Sequence, residues 1–158
     1  MMEKPNFQRM ILLAESIFNS KNDDRQIAFT DEDMEQMQNL HPHVMNEAAD
    51  ENGPFSWVTI LPTSKENMLL FLDHQMSEKE LLQNTTAQTP FECLYLCSAL
   101  TLPEYRNKNA TFHLTLSAIT AISIDHPIQS LFAWPFSESG RQLCEKISKT
   151  TQLPVHFK

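Results

Sequence analysis

Residues 99–116 read ALTLPEYRNKNATFHLTL, and their reading decides the fold. An apolar, strand-like run meets Pro103, a short basic and polar loop follows, and residues from Ala110 onward have helical character. A strand that passes through a tight loop into a helix gathers backbone N–H groups and the positive end of the helix dipole at one point. That arrangement suits a phosphate. Such loops ordinarily need glycine, which lets the chain bend and the anion approach closely. This one has none.

The flanks supply the rest of an α/β pattern. QTPFECLYLCSALTL (88–102) reads as a long strand and the best core candidate in the chain. ATFHLTLSAITAISI carries Phe112, Leu116, Ile119 and Ile122 on one helical face. Its Thr and Ile content lowers intrinsic propensity, so packing must hold it. IQSLFAWPF reads as a strand stopped by Pro135, Ser137 as the cap of the helix ESGRQLCEKISKT, and LPVHF as a last strand. Upstream, FSWVTIL is a near-continuous apolar strand. Thr63-Ser64-Lys65-Glu66 and Ser77-Glu78-Lys79-Glu80 have capping-box spacing before two short helices.

Residues 6–19 place Phe7, Ile11, Ala14, Glu15 and Phe18 at helical spacing, and KNDDR (21–25) is a polar break. Thr30 caps a second helix with Met34, Met37 and Leu40 on one face, ended at His41-Pro42. NEAADENGPF reads as a loop with a turn at Gly53-Pro54. The expected architecture is one α/β domain over 1–158, with a helical part at 1–50 and a core at 51–158.

A net charge of −8 disfavours general nucleic-acid binding, which rests on neutralising phosphates. Between Arg25 and Lys65 there is no Lys or Arg, whereas Arg106, Lys108, Arg141, Lys146, Lys149 and Lys158 lie in the C-terminal part. An anionic ligand should prefer that part; a solvated acidic face is the plainer alternative for the rest. No run approaches the ~18 apolar residues of a membrane span, and MILLA is too short for a signal core. Cys93, Cys97 and Cys144 read as buried thiols of a reducing, cytoplasmic setting. His41-x-His43 offers two imidazoles without an evident third ligand, so no metal is expected.

SALTLPEYRNKNATFHLTLSAI resembles the central motif of the GCN5-related N-acetyltransferase (GNAT) superfamily, in which a strand ends near a proline before a loop R/Q-x-x-G-x-G/A. SWVTILPTSKENMLLFLDHQMSEKELL and PIQSLFAWPFSESGRQLCEKI are similar to neighbouring segments of such proteins, so the likeness covers about 50–158. The resemblance implies a mixed central sheet flanked by helices, with coenzyme A or acetyl-CoA as co-substrate and an amine as acceptor. It implies that Leu100, Thr101 and Leu102 bind the pantetheine arm, and that Arg106, Asn107, Lys108, Asn109, Ala110 and Thr111 bind the pyrophosphate. Asn109 stands at the main glycine and Thr111 at the Gly/Ala position. Asn is the residue besides glycine that best accepts a left-handed backbone. Glu92, near the start of the central strand, is the candidate base, and Glu104 lies near its end. Cys144 takes the position of the helix tyrosine that protonates the leaving thiolate.

The enzyme reading stands beside two others: a catalytically silent GNAT fold that binds a ligand or partner, and an unrelated α/β domain. A sheet that splays beside LTLPEYR supports the family, and a fully parallel, doubly wound sheet would exclude it.

Overall fold

The computed structural model describes residues 4–18 and 25–158. The expected helix end at residue 19 and most of the polar break at 21–25 lie outside the described residues. The fold is mixed α/β. Helices α1 (Pro5–Phe18) and α2 (Asp31–Leu40) precede a hairpin of β1 (Met45–Asp50) and β2 (Gly53–Thr63). Then come α3 (Lys65–Leu72), α4 (Glu78–Gln83), β3 (Cys93–Thr101), a 3₁₀ turn over Pro103–Lys108, α5 (Ala110–Asp125), β4 (Ser130–Ala133), α6 (Glu138–Thr151) and β5 (Val155–Phe157).

Most helix starts follow from their caps. Thr30 and Ser77 each accept from the amide three residues on, and the Asp33 and Glu80 carboxylates return the bond to the cap. Ser137 accepts from the Gly140 amide. The cap of α3 is Ser64, one residue later than the Thr63–Glu66 spacing suggests. Thr63 is instead the last residue of β2, where its hydroxyl bonds Thr85 Oγ1 at 2.8 Å.

The larger departure is β1. The segment read as a loop pairs antiparallel with β2 from Met45↔Thr59 to Asp50↔Gly53, so the sheet begins inside the stretch expected to be helical. Asn, Glu, Ala and Asp are poor strand formers. As an edge strand β1 needs backbone pairing rather than an apolar face, and the hairpin supplies it. Gly53 closes the turn at φ +105, where a Cβ would stand 2.6 Å from Lys4 Cβ.

The five strands lie in chain order. β1, β2 and β3 are antiparallel; β3–β4 and β4–β5 are parallel. One face packs Leu61, Tyr95 and Phe132 against Met37, Phe71, Leu81 and Leu82 of α2–α4. The other packs Val58, Ile60, Leu94 and Leu131 against Ala118, Ile119 and Ile122 of α5 and Ile147 of α6. A third cluster joins Met10 of α1 to Leu100, Leu102 and Tyr105.

The register of β2 on β3 slips between Thr59↔Ser98 and Ile60↔Leu96, leaving Cys97 as an extra residue. This β-bulge inverts the alternation along β3. Before it, Leu94 and Leu96 share the α5 face with Ile60; after it, Ala99 pairs with Val58 on that face and Leu100 pairs with Trp57 towards α1.

Among the described residues no helix is long and apolar enough to cross a membrane. All three cysteines are free and buried.

Candidate functional site

The parallel pairing of β3 with β4 covers only Cys93↔Ser130, Leu94↔Leu131 and Tyr95↔Phe132. Beyond Tyr95 the strands part, and among the described residues no strand pairs with the edge of β3 from Leu96 to Thr101 on that side. The gap is a cleft of about 140 Å³ that reaches from Ile17 of α1 to Leu143, Cys144 and Ile147 of α6, with Thr115 of α5 and Trp134 on its walls. Proline at 135 and the cap at Ser137 turn the chain away after β4, which stops the ladder from extending.

Val58, Thr59 and Ser98 line this cleft and also a second, larger pocket of about 610 Å³ between α1, α2 and the β1–β2 face. The two meet beside the bulge.

The loop of the 99–116 stretch runs as follows. Pro103–Lys108 form a 3₁₀ turn, Asn109 adopts the left-handed conformation (φ 54, ψ 31), and α5 begins at Ala110. Asn109 therefore does take up the backbone that glycine would supply, at a cost of roughly 1 kcal/mol relative to glycine. No side chain caps α5, and its first turn holds no acid. Its leading amides are left to solvent or to an anion. Thr115 lies five residues further on, about 7.5 Å along the axis, and its hydroxyl bonds the Thr111 carbonyl at 2.7 Å. The open end of α5 and the cleft are thus adjacent stretches of one helix.

The cations divide. Arg106 is exposed, with Nε 3.4 Å from the Thr101 carbonyl. Lys108 leans the other way, 5.1 Å over the Tyr105 ring and 5.9 Å over Phe55. Lys146 of α6, named in the sequence only as one of the C-terminal cations, rests 4.1 Å over Phe112, in the first turn of α5. Only the packing of α6 on α5 brings it there. Leu100 and Leu102 turn their side chains into the α1 cluster, so only their backbone is available to the cleft.

Cys144 lines the cleft, and burial pushes its thiol up to about 11. It remains protonated at neutral pH. Glu92 lies just before β3, at the opposite end of the strand from the cleft, with Oε1 3.5 Å from the Lys65 amide. The structure does not bring Glu92 and Cys144 together. Glu104 bonds the Arg9 guanidinium at 2.9 Å.

That ion pair is one of several ties holding the 3₁₀ turn. The Tyr105 hydroxyl donates to Asp50 at 2.6 Å, and its ring stacks on Phe55 at 4.3 Å. The Tyr105 hydroxyl, with the Asn52 amide, holds the Asp50 carboxyl below its ordinary value, and Arg9 does the same for Glu104. A lowered carboxyl stabilises the fold fully above the ordinary range near pH 4 and loses that contribution as pH falls through the depressed value. Hydrogen exchange at the amides of the turn should therefore accelerate below about pH 4, before the sheet amides do. Equal protection at pH 6 and pH 3 would show that these carboxylates do not hold the turn.

One carboxylate escaped the sequence reading. Glu78 is buried in the first turn of α4, where Oε2 accepts from Tyr95 at 2.6 Å and Oε1 from the Ile27 amide at 2.9 Å. Its spacing marks only a helix start; nothing local in the sequence says that it faces inward. His41 is also structural. Its Nδ1 accepts from the His43 amide at 3.1 Å, which fixes the proton on Nε2, 2.8 Å from Asp125. Among the described residues no three His, Cys, Asp or Glu are grouped to hold a metal.

No family model, curated protein or solved structure matches this chain.

Proposed function

We propose that the chain is an acyl-CoA-dependent N-acyltransferase of the GNAT type, moving an acetyl group from acetyl-CoA to an amine. The observation that carries the reading is the parting of β3 from β4 beside the LTLPEYR segment. It leaves a strand edge free to pair with the amides of a pantetheine arm. The same cleft runs along α5 toward an uncapped N-terminus with Arg106 and Lys146 close by. The pyrophosphate binds at that N-terminus and the thioester reaches the bulge at Cys97. The acceptor enters from the pocket beneath α1, which shares Val58, Thr59 and Ser98 with the cleft. The amine nitrogen attacks the thioester carbonyl, the C–S bond breaks, coenzyme A leaves as the thiolate and the amine proton passes to water or to a pocket carboxylate. The buried thiols suit a reducing, cytoplasmic setting.

A second reading, a GNAT fold that binds coenzyme A without catalysis, is favoured by one feature. Among the described residues no carboxylate or imidazole lines the cleft. A Cys144 thiol held near 11 is also a weak acid toward a thiolate whose ordinary value is about 8.5.

Calorimetric titration with acetyl-CoA and with coenzyme A tests both. Micromolar binding is expected, and Asn109→Gly combined with Thr111→Gly should tighten it while leaving the fold intact. No heat and no thermal shift at millimolar ligand would overturn both readings. Binding without turnover across a panel of amines would select the second.

A further inference from the structure

The pocket beneath α1 and α2 has a chemistry of its own. Its volume, about 610 Å³, lies within the roughly 300–1,000 Å³ typical of sites for small organic molecules. Its walls are mostly apolar, with Phe7, Phe29, Met34 and Trp57 prominent. Phe7 and Trp57 stand edge to face at 6.1 Å. Phe29 holds φ +53, a conformation that a bulky side chain adopts only under constraint, and strain of this kind gathers at ligand clamps.

Among the described residues the charged lining is entirely acidic: Glu15 and Glu47 border the pocket, and no Lys, Arg or His does. One Glu47 oxygen accepts from Trp57 Nε1 at 2.8 Å, which fixes the carboxylate against an aromatic face and leaves the second oxygen for a ligand. An ammonium placed there gains a charge-assisted hydrogen bond and the negative face of the ring together. An anion placed there meets the repulsion of the Glu47 carboxylate.

We infer that this pocket binds a hydrophobic primary amine, with the apolar body among Phe7, Phe29, Met34 and Trp57 and the ammonium at Glu47. The ligand class stands on the lining alone. That the bound amine is the acyl acceptor rests on the acyltransferase reading above.

Titrating the full chain with octylamine, octanol and octanoate, each below its micelle concentration and with no acyl donor present, tests the inference. Calorimetry and tryptophan fluorescence give the readouts. Octylamine is expected to bind about tenfold more tightly than octanol, the size of one charge-assisted contact, and octanoate most weakly. Glu47→Gln keeps an acceptor for Trp57 and should remove the amine preference while leaving octanol binding unchanged. Met34→Lys should move the preference toward octanoate. Equal binding of amine and alcohol, no binding of the amine, or an amine preference that survives Glu47→Gln would each overturn the inference. A failed coenzyme A titration would leave these outcomes untouched, so the two readings fail separately.

Discussion

Replacing Phe71 by alanine is expected to lower the unfolding free energy by about 4 kcal/mol. The ring is fully buried at the point where α3 meets the sheet. It lies 5.0 Å from Tyr95, 5.7 Å from Phe132 and 6.5 Å from Trp134, so strands β3 and β4 both lean on it just before they part. Lys158 covers the same ring at 4.3 Å, with its ammonium value lowered by burial. Truncation leaves a cavity that neighbours drawn from separate elements cannot close together. Phe71→Leu keeps most of the volume and should cost under about 1.5 kcal/mol. Urea unfolding curves of the two variants, compared at constant slope, check this. A loss below about 1 kcal/mol for the alanine variant would mean that the site collapses freely.

Glu78→Ala should be almost as damaging, at about 3 kcal/mol. The carboxylate ties the Ile27 amide to the Tyr95 hydroxyl, so its removal leaves two buried donors unpaired. Burial, the largest cause that holds the Tyr95 hydroxyl well above its ordinary value, persists in the variant, so the group cannot answer by ionising. Glu78→Gln retains an acceptor and should cost about 1 kcal/mol. The decisive comparison is a double-mutant cycle. In a Tyr95→Phe background, Glu78→Ala should cost less than in the parent, because one orphaned donor is gone. Strict additivity would show that the two groups do not act as a pair.

Local signals made much of this legible. Thr30, Ser77 and Ser137 announce α2, α4 and α6 because capping is decided within four residues. The run at 93–101 announces a buried strand because its apolar content is dense. The likeness of the loop put Asn109 at a glycine position, and asparagine is the residue besides glycine that best takes up the left-handed backbone found there. What escaped depends on partners distant in sequence. β1 has no apolar face, so only its pairing with β2 makes it a strand. The bulge at Cys97 appears only once Thr59 and Ile60 are laid beside it. Lys146 and Glu78 sit on helices whose periodicity says which residues face inward, not what they meet there. The cleft was implied by a likeness in the loop, but its walls come from six elements.

The extra residue in β3 has a genetic consequence. Loss of the single codon for Cys97 would restore an even ladder, with Leu96 on Ile60 and Ser98 on Thr59, and every position from Ser98 to Leu102 would keep its face. Leu100 would stay under α1 and Ala99 opposite Val58. Most substitutions in β3 alter one contact, whereas an added codon elsewhere in the strand would carry the residues beyond it to the opposite face. In descendants of this chain, β3 should therefore accept the loss of residue 97 more readily than the gain of a residue between Tyr95 and Pro103.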